Sequence, residues 1–232
     1  SQTGGPITET GGSATFTATL SNPSATDVVI DLVFGGEADG SDYTATATQI
    51  VIPAGSTTGS LVVTGVDDGI YEGDESLTVG IGSVTGASAG GTSEVTASIV
   101  DAQSEPTFAL ASSAASVTEG DSLQIIATLS GPSDTATTIA IAVGGDVESA
   151  DYTLSAAQIV IPAGNTSGTV TFQAQDDNVH EGNESVLVSS PAATWDGSTL
   201  SALLIDNDPE PTVTLSSSGG TLTEGALSLI HI

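Results

Sequence analysis

The chain repeats itself at long range. Gln49-Ile50-Val51-Ile52-Pro53-Ala54-Gly55 returns unchanged as Gln158–Gly164, 109 residues further on. At the same spacing Ser41-Asp42-Tyr43-Thr44 returns as Ala150-Asp151-Tyr152-Thr153, and Asp67-Asp68 as Asp176-Asp177. Glu72-Gly73-Asp74-Glu75-Ser76 likewise returns as Glu181-Gly182-Asn183-Glu184-Ser185. Glu105-Pro106-Thr107 recurs as Glu210-Pro211-Thr212, and Val117-Thr118-Glu119-Gly120 is echoed by Leu222-Thr223-Glu224-Gly225. Self-similarity at a fixed spacing means copies of one structural unit. The chain therefore reads as module one (1–103), module two (104–209) and, over 210–232, the opening strands of a third module or a donor-strand tail. Two modules suit 232 residues, and each is long enough to bury a core.

The unit itself reads as all β. In module two, short runs rich in Val, Ile, Leu and Thr cover Thr107–Ala111, Ser122–Leu129, Thr137–Val143, Ala157–Ile161, Gly168–Ala174, Glu184–Ser189 and Ser198–Ile205, with Gly, Pro, Asn, Asp and Ser clusters between them. Thr169-Val170-Thr171-Phe172 and Thr15–Leu20 alternate with the two-residue period of a half-buried strand, and no stretch sustains a helical period. The expected fold class is all-β, as tandem immunoglobulin-like seven-stranded β-sandwiches. Module one is expected to lack its first strand, since only Ser1–Pro6 precede Ile7-Thr8-Glu9. Aromatic residues are 3% of the chain, so the core must rest on Val, Ile, Leu and Ala. The short linkers Ser104-Glu105-Pro106 and Pro209-Glu210-Pro211 carry proline and predict semi-rigid joints.

Charge narrows the function. There is no Lys or Arg, and 29 Asp and Glu give a formal charge of −29. Nothing can neutralise phosphates, which excludes nucleic acid and anionic lipid as partners. No apolar run approaches the roughly 20 residues of a membrane helix, so neither membrane insertion nor a leader in this sequence is expected. Cysteine is absent, which rules out disulfides, and the absence of lysine rules out Lys–Asn isopeptide bonds. For a module that must be stiff outside the cell, metal is the remaining cross-link. The acids could instead be a solvated, salt-adapted surface, so their positions decide.

Those positions favour a hard cation. Calcium takes about six to eight oxygen ligands from loops that can wrap it. In module two Glu119 precedes the second strand, and Asp151 lies in the loop after the third. Asp176, Asp177 and Glu181 share the loop after Gly168–Ala174, and Asp206 and Asp208 follow the last strand. Strand ends of a sandwich gather at its poles, and clustered carboxylates with no basic residue to offset them repel one another. Asp-Tyr-Thr, a strand ending in Ile-Pro-Ala-Gly, Asp-Asp-x-x-x-Glu-Gly-x-Glu and a final Ile-Asp-Asn-Asp together resemble the Calx-β domain. That resemblance implies calcium ligands at Glu119, Asp151, Asp176, Asp177, Glu181, Asp206 and Asp208, and in module one at Glu9, Asp42, Asp67, Asp68, Glu72 and Asp101. Module one departs at its end, where Ala102 and Gln103 follow Asp101, so its site there is expected to be weaker.

Other features point less far. His180 and His231 have no cysteine or nucleophile near them in sequence and read as surface residues; Trp195 reads as packing. Asn165-Thr166-Ser167 and Asn183-Glu184-Ser185 fit the glycosylation sequon. Gly35-Gly36 and Gly144-Gly145 read as turns. The functional expectation is a calcium-binding structural or adhesive repeat of a secreted or cell-surface protein, a metal-stiffened stalk or filament subunit. The alternatives are a calcium-sensing module and a cadherin-like adhesion repeat. An enzyme is not expected, because paired catalytic carboxylates in a cleft are not evident. The partners expected are neighbouring copies of the chain, assembled head to tail by strand donation from 211–232.

Overall fold

The computed structural model describes residues 1–91, 93–191, 199–216 and 218–220, and all regular structure among them is β. Module one contains β1 (Gln2–Thr3), β2 (Ile7–Thr8), β3 (Ser13–Thr19), β4 (Val28–Gly36), β5 (Tyr43–Ala45), β6 (Gln49–Ile52), β7 (Thr58–Gly65), β8 (Glu75–Thr85) and β9 (Glu94–Val100). Module two contains β10 (Phe108–Ser112), β11 (Ser116–Thr118), β12 (Ser122–Leu129), β13 (Thr137–Ala140), β14 (Ala142–Gly145), β15 (Tyr152–Leu154), β16 (Gln158–Ile161), β17 (Ser167–Ala174), β18 (Glu184–Ser189) and β19 (Thr199–Ile205). Trp195, His231 and the Leu222–Gly225 echo lie outside the described residues, as does most of the tail expected to donate a strand.

Each module is two facing sheets. Module one has the orders β1-β3-β7-β5 and β2-β9-β8-β4-β6; module two has β10-β12-β17-β15 and β11-β19-β18-β14, with β13-β16 as a separate pair. The two-residue period places the core. In Gln49–Ile52 and Gln158–Ile161 the isoleucines are buried while Val51 and Val160 point outward. One apolar cluster includes Ile7, Phe16, Ile52, Leu77 and Ile99; the other includes Ile125, Ile159, Ile161, Phe172 and Leu204. Tyr152 stacks on Phe172 with centroids 5.1 Å apart, which places this aromatic pair in the core of module two.

The all-β expectation holds, with three differences of detail. Module one does not lack its first strand: Gln2 and Thr3 pair with Phe16 and Thr15, on the edge that β10 occupies in module two. The expected run Thr137–Val143 is broken at Ile141, where its module-one counterpart β4 shifts register between Asp31 and Leu32. The strand count exceeds seven because β2, β5, β11 and β15 are two or three residues long, too short for alternation to show in sequence.

Gly35-Gly36 and Gly144-Gly145 are not turns. They end β4 and β14, with Gly36 and Gly145 at φ of +112° and +107°. A Cβ at either would stand 2.1 or 2.2 Å from the carbonyl oxygen of Ser76 or Ser185, so only glycine fits. These glycines aim the following loop, which carries Asp42 or Asp151, across the end of the sandwich. Contact between modules runs through main chain: Tyr71 N–H donates to the Pro132 carbonyl (3.0 Å) and Asp134 N–H to the Tyr71 carbonyl (3.1 Å).

Candidate metal centre

Strand pairing brings the acids together at one pole of each module. The short parallel strand β2 lies beside β9, so Glu9 follows directly and donates its N–H to the Val100 carbonyl; Glu75, opening β8, pairs with Ile99. Val66 N–H donates to the Asp42 carbonyl at 2.8 Å, which fixes the Asp42 loop against the end of β7. Module two repeats the arrangement: Glu119 N–H reaches the Ile205 carbonyl, Glu184 pairs with Leu204, and Gln175 N–H reaches the Asp151 carbonyl.

The first kind of cluster is present in both copies. Asp42, Glu72 and Glu75 each offer a carboxylate oxygen within 4.8 Å of the others, and so do Asp151, Glu181 and Glu184. Asp42 is 3% exposed; its Oδ2 accepts the Asp39 N–H at 2.6 Å, while its Oδ1 is buried without a partner. Glu75 Oε2 and Glu184 Oε2 are also buried and unpartnered. Burial, together with the charges of Asp42 and Asp68, pushes the Glu72 carboxyl up to about 7. Burial and its contact with Asp42 push Glu75 up to about 7, with the charge of Asp134 in module two contributing. Burial and Asp151 do the same for Glu184. Such carboxyls hold protons near neutral pH because nothing else offsets their neighbours, and a buried oxygen without a partner is costly.

The second cluster lies at the end of module two, where Glu119, Asp206 and Asp208 converge within 4.8 Å. Glu119 is 8% exposed with Oε2 unpartnered, and Asp208 Oδ2 is unpartnered too. Burial raises both carboxyls above their ordinary values, and Asp206 adds to each. Asp206 itself is held low by the amides that cap it, Gly182 N–H first (2.6 Å), then Asp208 and Glu181. His180 Nδ1 lies 2.7 Å from Asp206 Oδ2. Asp206 thereby ties the Glu181–Glu184 loop to the second cluster, and in module one Asp101 accepts the equivalent Glu72 and Gly73 N–H groups.

Module one lacks the second cluster among its described residues. Gln103 stands in the place of Asp208, and its amide donates to Asp67 Oδ1 at 2.7 Å. Glu9 remains 4% exposed with its Oε2 accepting Ala102 N–H, and burial raises its carboxyl.

The sequence-predicted residues thus divide. Asp42, Glu72, Asp151, Glu181, Glu119, Asp206 and Asp208 meet in clusters. Glu9 and Asp101 lie near each other, with Asp42 and Asp68 close enough to raise the Glu9 carboxyl, but belong to no group of three within 4.8 Å among the described residues. Asp67, Asp68, Asp176 and Asp177 sit on the exposed rim, where one oxygen of each accepts a hydrogen bond: Asp67 from Gly69 N–H, Asp68 from Ile70 N–H and Asp177 from Val179 N–H within the loop, and Asp176 from the Asn207 side-chain amide across it. Sequence reasoning missed Glu75 and Glu184. Both stand in the repeated Glu-Gly-x-Glu, which is the signal that could have found them; each opens a strand, at the first position facing the cluster.

A family model described as the LapA domain matches the chain twice, over residues 2–105 and 105–217. No protein of curated function matches it. Among solved structures, the crystal structure of CBD12 from CALX1.2 is 15% identical, covering 81% of this chain and 79% of that one with a TM-score of 0.38. The calcium binding domain CBD12 of CALX1.1 is 14% identical, covering 78% and 75%, with a TM-score of 0.38. The adhesin InvE of Yersinia pseudotuberculosis is 14% identical over 88% of this chain and 57% of that one, with a TM-score of 0.41.

Proposed function

The chain belongs to the LapA domain family in both of its modules, and on that premise we propose that it is a calcium-binding structural repeat of a secreted or cell-surface protein, a metal-stiffened adhesive stalk rather than an enzyme. The observation that carries this reading is the recurrence of buried, unpartnered carboxylate oxygens in the same place in both modules: Asp42 Oδ1 and Glu75 Oε2 in one, Glu184 Oε2 in the other. All-oxygen, all-acid donor sets suit a hard cation. Asp42, Glu72 and Glu75 would hold one ion in module one; Asp151, Glu181 and Glu184 a second, and Glu119, Asp206 and Asp208 a third, in module two. A bound calcium ion supplies the positive charge that this sequence cannot, and replaces the protons held by Glu72, Glu75 and Glu184.

Stiffening follows from where the loops lead. Tyr71 directly precedes Glu72, and its main chain makes the contact with Pro132–Asp134 of module two. An ion that fixes the Glu72–Glu75 turn also fixes the strip of chain that grips the next module. Calorimetric titration tests the reading. A stalk exposed to extracellular calcium binds with Kd of about 10⁻⁴–10⁻³ M, and its melting temperature rises with calcium and falls with chelator. Micromolar binding would favour a sensor. No binding heat, with identical melting in both conditions, would overturn the proposal.

A further inference from the structure

The loop of module two that meets module one occurs in both copies of the repeat. Ser130-Gly131-Pro132-Ser133-Asp134-Thr135 corresponds to Ser21-Asn22-Pro23-Ser24-Ala25-Thr26. The two copies fold alike. The Ser133 carbonyl accepts Gly164 N–H at 2.8 Å, as the Ser24 carbonyl accepts Gly55 N–H at 2.8 Å. The Ser133 hydroxyl accepts Thr135 N–H, as the Ser24 hydroxyl accepts Thr26 N–H. Ala25 therefore shows that the loop needs no acid at the position of Asp134. Asp134 is exposed, and among the described residues its carboxylate accepts no hydrogen bond.

Asp134 faces the acid pole of module one. Its N–H donates to the Tyr71 carbonyl at 3.1 Å, Tyr71 N–H donates to the Pro132 carbonyl at 3.0 Å, and Ser133 forms a parallel bridge with Tyr71. Glu72 is the next residue, so main-chain bonds alone set Asp134 beside the Asp42–Glu72–Glu75 cluster. Its charge is felt there: after burial and Asp42, Asp134 helps to hold the Glu75 carboxyl up. An acid set against three others repels across the junction, and the chain has no Lys or Arg to separate them. The cluster itself has room for a cation. Asp42 is 3% exposed with Oδ1 unpartnered, and Glu75 Oε2 is unpartnered as well. Three carboxylates also fall short of the roughly six to eight oxygens that calcium takes.

We propose that Asp134 supplies a fourth carboxylate to the ion held by Asp42, Glu72 and Glu75, making that ion a clasp between the two modules. The clasp rests on the calcium reading of that cluster and adds that the site is split across the junction. It gives Asp134 two opposite effects. Without metal its charge pushes the modules apart; with metal it draws them together. Calcium binding and closure of the junction then strengthen one another by the same factor.

Glu184→Gln with Asp208→Asn removes one carboxylate from each module-two cluster, which leaves the module-one site to be read alone by calorimetric titration of the full chain. In that background Asp134→Ala, which installs the residue that module one carries in the same loop, should weaken calcium binding about tenfold. Asp121→Ala removes an equal charge at the opposite end of β12 and should leave the affinity unchanged. Calcium should also slow hydrogen exchange of the Tyr71 and Asp134 amides, and should slow them far less after Asp134→Ala, although both main-chain bonds remain available. Without metal the same substitution should slow their exchange, because the repulsion is gone. A background chain that gives no calcium heat would remove the calcium reading of the cluster and the clasp with it. Equal affinity before and after Asp134→Ala, an equal loss with Asp121→Ala, or calcium protection of the two amides that survives Asp134→Ala would overturn the clasp alone and leave module one its calcium site.

Discussion

Withdrawing calcium and replacing Asp208 by Asn should act on the same cluster with opposite signs, the first lowering stability and the second raising that of the metal-free protein. Module two brings together two acid clusters among its described residues and module one only one. A site occupied at ten times its Kd adds about 1.4 kcal/mol of stability. Calcium should then contribute about 1.4 kcal/mol to module one and about 2.8 kcal/mol to module two. At about 4–8 °C per kcal/mol for a domain of this size, the midpoints should rise by roughly 6–11 °C and 11–22 °C. Asp208 Oδ2 has no partner to lose, and burial with the charges of Asp206, Asp177 and Asp176 pushes its carboxyl up. Asp208→Asn should therefore raise the metal-free midpoint of module two while cutting its calcium increment to that of module one. Differential scanning calorimetry with calcium and with chelator resolves both effects. A variant that melts lower without metal and keeps the full calcium increment would refute the reasoning.

Other expectations follow from the same geometry. Glu72, Glu75 and Glu184 titrate near 7 in the folded chain against about 4.5 ordinarily, so the native state binds more protons between those values. Metal-free stability should then fall as pH rises from about 4.5 through 7, whereas calcium affinity should strengthen over the same rise; melting and titration across pH check both signs. Gln103→Asp removes the amide that satisfies Asp67 and recreates the second cluster in module one. It should lower metal-free stability and roughly double that module's calcium increment. Calcium should lengthen the maximum dimension in small-angle scattering by fixing the Tyr71 contact, and Glu72→Gln with Glu75→Gln should remove that change. Gly36→Ala should destabilise module one by more than about 2 kcal/mol, because the added Cβ meets the Ser76 carbonyl; chemical denaturation measures it.

The repeat and the β character were legible without coordinates. The alternation in β3 and β17 is a local pattern, and burial of one face follows from it directly. Tertiary structure decided which acids meet. Glu75 and Glu184 look like any residue opening a strand until pairing with Ile99 and Leu204 sets them beside Asp42 and Asp151. Asp67 and Asp68 stand on the exposed rim, where one oxygen of each accepts an N–H from Gly69 or Ile70, a placement that the folded loop sets. Residue type and spacing state what a side chain can do, and they are local. Convergence within 4.8 Å depends on the register of strands far apart in the chain, which only the folded pairing sets.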